Sequence, residues 1–125
     1  VGTGSLAGMR ILRYLSAEMS ELLSIWPFKQ PTKNSVIVEV FPRLYFKLAN
    51  TDPTLWQNRG NINQTLAFYK SEKLSNHIEI NREDEADALV SAAALRFLSS
   101  DEELWSAPKI FEAAIKAEGW IFGVK

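Results

Sequence analysis

Apolar residues recur every three or four positions through Leu6, Met9, Leu12, Leu15, Met19, Leu22 and Leu23, a spacing that predicts a helix over Leu6–Leu23. Thr3 or Ser5 is placed to cap it, and Pro27 lies just beyond its end. Ser24–Phe28 reads as a short strand, and Lys29–Asn34, with Pro31, as a loop. The clearest strand is Ser35-Val36-Ile37-Val38-Glu39-Val40-Phe41-Pro42. It is β-branched, almost continuously apolar and ended by a proline, which predicts burial on both faces. Arg43–Ala49 then reads as a helix, Asn50–Pro53 as a turn, Asn61–Lys73 as another helix and His77–Ile80 as a short extended segment. Glu83–Leu98 carries the strongest helical pattern, with Ala86, Leu89, Val90, Ala93 and Phe97 on one face. Asp101–Leu104 predicts one turn of helix, and Pro108 opens a last helix over Lys109–Ala117 that Gly119 stops. Trp120–Val124 reads as extended.

This order of elements predicts an α/β fold, helix-rich, with a short sheet. No repeat, low-complexity tract or linker interrupts the 125 residues, so they read as a single domain, 1–125. The longest uncharged apolar stretches fall far short of the roughly 20 residues of a membrane helix, so no membrane partner is expected. The opening Val1-Gly2-Thr3-Gly4-Ser5 lacks the basic start and apolar run of a signal peptide, and a cytoplasmic location is the default. With no cysteine, thiol catalysis, disulfides and Cys–zinc sites are excluded. A single histidine, His77, excludes a multi-histidine metal site within one chain. Chemistry is left to carboxylates, hydroxyls, lysines and arginines.

The net charge of −1 conceals an asymmetry. Residues 1–82 hold ten Lys/Arg and six Asp/Glu, a net of +4, and residues 83–125 hold four and nine, a net of −5. The basic part offers a face for nucleic acid, but solvated surface charge is the simpler and preferred reading.

Two sets of carboxylates stand out. Glu39 interrupts the apolar strand, where an unpaired carboxylate is costly to bury. It is either a structural acid paired with an arginine or part of a metal or acid/base site. Asp84 and Asp87 are three apart and project from one side of the Glu83–Leu98 helix. Acids in a first helical turn stabilise the positive end of the helix dipole, which accounts for Glu83, Asp84 and Glu85 better than for the deeper Asp87. Arg43, one residue past Pro42, is placed either to bind phosphate or to pair with Glu39. Gly2-x-Gly4-x-x-x-Gly8 matches no phosphate-binding fingerprint and reads as a tight entry into the first helix. His77 has no visible base or nucleophile partner, and the four tryptophans read as core or interface anchors.

The strand Val38-Glu39-Val40-Phe41-Pro42, followed by the helix start Asp84-x-x-Asp87-Ala88-Leu89, resembles the RNase H-like superfamily. The second motif is similar to the C-terminal helix of RuvC-type resolvases. With the ending Glu118-Gly119-Trp120-Ile121-Phe122, the chain most resembles the C-terminal part of the family catalogued as domain of unknown function 429, predicted to be RNase H-like nucleases. The resemblance implies a two-metal-dependent nuclease that hydrolyses phosphodiesters. Glu39, Asp84 and Asp87 would be the catalytic and metal-binding carboxylates, Arg43 a weak phosphate contact, and Mg²⁺ or Mn²⁺ the ions, which suit an all-oxygen site. Such folds begin with a three-stranded hairpin sheet whose first strand supplies a further Asp, and nothing like it precedes Gly2. The resemblance therefore implies a partial RNase H-like fold lacking the N-terminal hairpin strands, inactive alone, with an exposed sheet edge that favours a homodimer. The alternative is a non-catalytic α/β binding or interaction domain.

Overall fold

Helix α1 runs Gly2–Glu18, and its last turn passes through Met19–Leu22 into strand β1, Leu23–Ile25. The computed structural model that shows this describes residues 2–32, 35–106, 113, 115, 117 and 119–125. They form two compact units, one drawn from Val1–Glu39, Trp105–Ile121 and Lys125, the other from Val40–Leu104 and Phe122–Val124.

In the first unit, α1 packs on β1, and β1 pairs in parallel with β2, Ser35–Ile37. The register sets Leu23 against Ser35 and Ile25 against Ile37. A further bond from the Trp26 N–H to the Ile37 carbonyl extends the ladder, and Glu39 bridges Ile121 in parallel. Two expectations change here. The first helix ends at Glu18, five residues early, because Leu23 is drawn into the sheet and buried there. Helix α1 already includes Gly2, so Thr3 and Ser5 lie within the helix instead of capping it. Secondly, β2 is three residues long and its side chains are exposed or half-buried, so it is not a strand buried on both faces. Continuous burial needs a layer on each face and neighbours on each edge, and the sheet holds two strands among the described residues. The Lys109–Ala117 helix lies mostly outside the described residues; Ala113, Ile115 and Ala117 are helical, and Gly119, at φ +85°, follows them. The left-handed backbone there favours glycine.

The second unit is built on helices α2 (Pro42–Leu48), α3 (Arg59–Phe68) and α4 (Glu83–Leu98), with both α2 and α3 packed on α4. Pro42 occupies the first turn of α2, where its missing N–H is not needed. Asn58 caps α3 by accepting from the Asn61 N–H at 3.0 Å. Small residues of α4, Ala86, Ala93 and Ala94, bring the helices close around Tyr45, Phe46, Ile62, Leu66, Tyr69 and Val90. Helices α2 and α3 both end in paired backbone bonds. The Thr51 N–H returns to the Phe46 carbonyl and the Asn50 N–H to Lys47; the Ser71 N–H returns to Leu66 and the Lys70 N–H to Ala67. Asn50 and Lys70 take positive φ, 55° and 53°, to make these turns. Asn tolerates that backbone, but a lysine there is uncommon. The Arg96 guanidinium holds the second turn by donating to the carbonyls of Tyr69 and Lys70 at 3.0 and 2.7 Å. The expected helix over Asn61–Lys73 therefore stops at Phe68. His77–Ile80 is a turn and coil, not a strand, and its backbone is gripped by Arg59, which donates to the carbonyls of Leu74, Ser75 and Ile78.

Candidate functional site

The α4 start gathers four carboxylates from one short stretch, and its local bonds explain why it begins there. Glu85 reaches back to accept from the Asn81 N–H at 2.9 Å and from Arg82 Nε at 3.3 Å, replacing the side-chain cap that Arg82 does not provide. Those bonds, the Asn81 N–H foremost, hold the Glu85 carboxyl below its usual range. Glu83 accepts from Arg43 Nη2 at 3.4 Å, an exposed pair that joins α2 to α4. Exposed pairs of this kind contribute little to stability.

Asp87 behaves in the opposite way. It is half-buried, and partial loss of water is the largest cause raising its pKa; the charges of Glu83 and Asp84 add to the rise and Arg43 opposes it. Two acids on one short helical stretch are thus pushed apart by their surroundings, a pattern that recurs where carboxylates perform different tasks. One turn further on, Ser91 Oγ is buried and, among the described residues, finds no hydrogen-bond partner. Positions 84, 87 and 91 follow a single helical stripe.

The sequence-derived candidates thus fall in two places. Asp84, Asp87 and Arg43 belong to the second unit, and Glu39 to the first. Glu39 is exposed, so the desolvation argument that singled it out does not apply. Arg43 meets Glu83, forty residues away in the chain, and no local spacing signals that pair. Asp84 and Asp87 stand three apart on one face of α4; a two-ion site of three or four carboxylates requires donors beyond this pair. Among the described residues, no group of three acidic or histidine side chains is arranged to hold a metal ion. His77 is exposed, on a turn.

In the first unit, Glu39 stands at a cavity walled by Trp26, Phe28 and Trp120, a clustering around that carboxylate that only the fold reveals. Trp26 itself is buried and donates from Nε1 to the Trp105 carbonyl at 3.0 Å, with the two rings edge to face. No helix among the described residues is long and apolar enough to cross a membrane. Compared with protein-family models, curated proteins and solved structures, the chain matches none.

Proposed function

We propose that this chain is the carboxylate-bearing part of an RNase H-like, divalent-metal-dependent phosphodiesterase, and that residues 1–125 alone do not cleave nucleic acid. The observation that supports this reading is the crowding at Asp87. Its carboxyl is raised by partial burial and by two neighbouring acids, and a bound divalent cation relieves such crowding. Mg²⁺ or Mn²⁺ is the matching ion class for oxygen donors. Asp84 and Asp87 supply two donors; Glu39, the third acid the sequence resemblance implies, belongs to the first unit and is not counted in this site. Two donors hold an ion weakly, which is why the chain by itself is expected to be inactive.

Titration with Mn²⁺, read by paramagnetic broadening of backbone amide resonances, tests the proposal. Amides of residues 83–88 broaden in the wild type and keep their intensity in Asp87→Asn. Equal broadening in both proteins, or none in either, defeats the reading. Measurable Mg²⁺-dependent cleavage of DNA or RNA by the chain alone overturns its inactivity.

A second reading, a non-catalytic binding or interaction domain, is favoured by the apolar side chains that the first unit exposes, among them Met9, Tyr14 and Phe28. Under it, Asp87→Asn changes neither metal affinity nor partner binding.

A further inference from the structure

The first unit contains a cavity of about 420 Å³, within the roughly 300–1,000 Å³ typical of small-molecule sites. Its walls are apolar and aromatic: Met9 and Leu12 from α1, Ile25 from β1, then Trp26, Phe28 and Trp120. Glu39 is the sole ionisable side chain lining it among the described residues. That carboxylate is exposed, and among the described residues it forms no ion pair. Phe28 Cζ and Glu39 Oε2 lie 3.6 and 3.7 Å from the point where a Cβ on Gly119 would sit, so ring and carboxylate flank one spot.

The chemistry of these walls selects the occupant. An anion is repelled by Glu39. A neutral apolar molecule displaces water from the carboxylate and leaves it without a partner, at a cost. Mg²⁺ and Ca²⁺ demand several oxygen ligands, and here one carboxylate faces hydrocarbon and rings. A weakly hydrated organic cation meets every wall favourably, because aromatic faces attract alkylammonium groups and the carboxylate balances the charge.

We infer that this cavity binds a small molecule with an alkylammonium head group, Glu39 serving as counter-ion and Phe28 and Trp120 as the aromatic walls, with the buried Trp26 beneath them. The inference does not rest on the phosphodiesterase reading, which concerns Asp84 and Asp87.

The test titrates the whole chain with choline and, in parallel, with 3,3-dimethyl-1-butanol, its uncharged isostere. Binding is followed by NMR at the tryptophan indole N–H resonances. Choline is expected to saturate the resonances of Trp26 and Trp120 with a Kd of about 1 mM or tighter, and to leave that of Trp56, in the other unit, unmoved. The isostere is expected to bind about tenfold more weakly. Glu39→Gln, at an exposed position, should keep the melting temperature and weaken choline about tenfold while leaving the isostere unchanged. Phe28→Leu should weaken choline by a smaller factor, about threefold. Equal affinity for choline and the isostere overturns the inference, as does wild-type choline affinity in Glu39→Gln. So does competitive displacement of choline by Mg²⁺, which would give Glu39 to an inorganic ion. Failure here leaves the Mn²⁺ experiment on Asp87 untouched, and failure there leaves this one untouched.

Discussion

Both units bury some aromatic residues and expose others, but the tyrosines at the heart of the second unit and the rings around the first unit's cavity are used differently. In the second, Tyr45 and Tyr69 are fully buried, meet edge to face at 6.5 Å, and use both hydroxyls. Tyr69 donates to the Tyr45 carbonyl at 2.7 Å, and Tyr45 donates to the Phe122 carbonyl at 2.8 Å. Burial pushes the Tyr45 hydroxyl up to about 12, and Tyr69 higher still, so both remain donors at every physiological pH. In the first unit Trp26 is likewise buried, but Phe28 is 53% exposed and Trp120 is half-buried, and both line a cavity beside a carboxylate. Side chains that satisfy one another hold a core together. Side chains left facing a hollow are available to something else, and that difference separates a scaffold from a candidate binding surface.

The sharpest way to break this contrast is to truncate one apolar residue in each unit. Leu66→Ala, at a position 2% exposed, should destabilise the second unit by about 2–5 kcal/mol in denaturant unfolding. Met9→Ala, at 62% exposure, should cost less than about 0.5 kcal/mol. Comparable losses at the two positions would remove the distinction.

Tyr45→Phe should cost about 1–2 kcal/mol, since the ring stays and only the donor to the Phe122 carbonyl goes. If the melting temperature does not move, the hydroxyl is not part of what holds the second core. Ser91→Ala acts in the other direction. It removes a buried hydroxyl that has no partner among the described residues and adds a better helix former, so stability should rise by about 1 kcal/mol. A loss of stability would mean that Ser91 is partnered after all.

The smallest effect concerns Asp87. Its folded pKa lies above its unfolded one, so the folded state holds the proton more tightly. Stability from this group therefore rises as pH falls through the raised folded value, is complete below the ordinary value of 3.8, and is lost as pH climbs. Asp87→Asn should stabilise the chain by about 0.3 kcal/mol at neutral pH, and the gain should shrink in acid. Glu85 and Asp52, whose carboxyls are lowered by hydrogen bonds, carry the opposite pH dependence in both proteins, so the difference between wild type and variant isolates Asp87. A gain that grows in acid would reverse the assignment.

Local signals determined a good part of this protein. The helix expected over Glu83–Leu98 has those bounds in the structure, because its acidic first turn, its apolar period and Glu85 reaching back to Asn81 are all contained within neighbouring residues. Pro42 marked the start of α2 and Asn50 its end for the same reason. That Asp84 and Asp87 share a helix face follows from three-residue spacing alone. Tertiary structure decided the rest. Nothing near Lys70 announces that it turns α3 off; the turn is held by Arg96, twenty-six residues away, which bonds the Lys70 carbonyl. Phe97 belongs to the apolar stripe of α4 yet stands 36% exposed, because α2 and α3 cover only part of that face. Glu39 looked like a charge buried in a strand, but burial depends on how many layers and strands surround a segment, and its neighbours Val40 and Phe41 are themselves exposed. Arg43 found Glu83 and the hollow of the first unit gathered Trp26, Phe28 and Trp120 because folding brings distant segments together, and spacing along the chain carries no record of that.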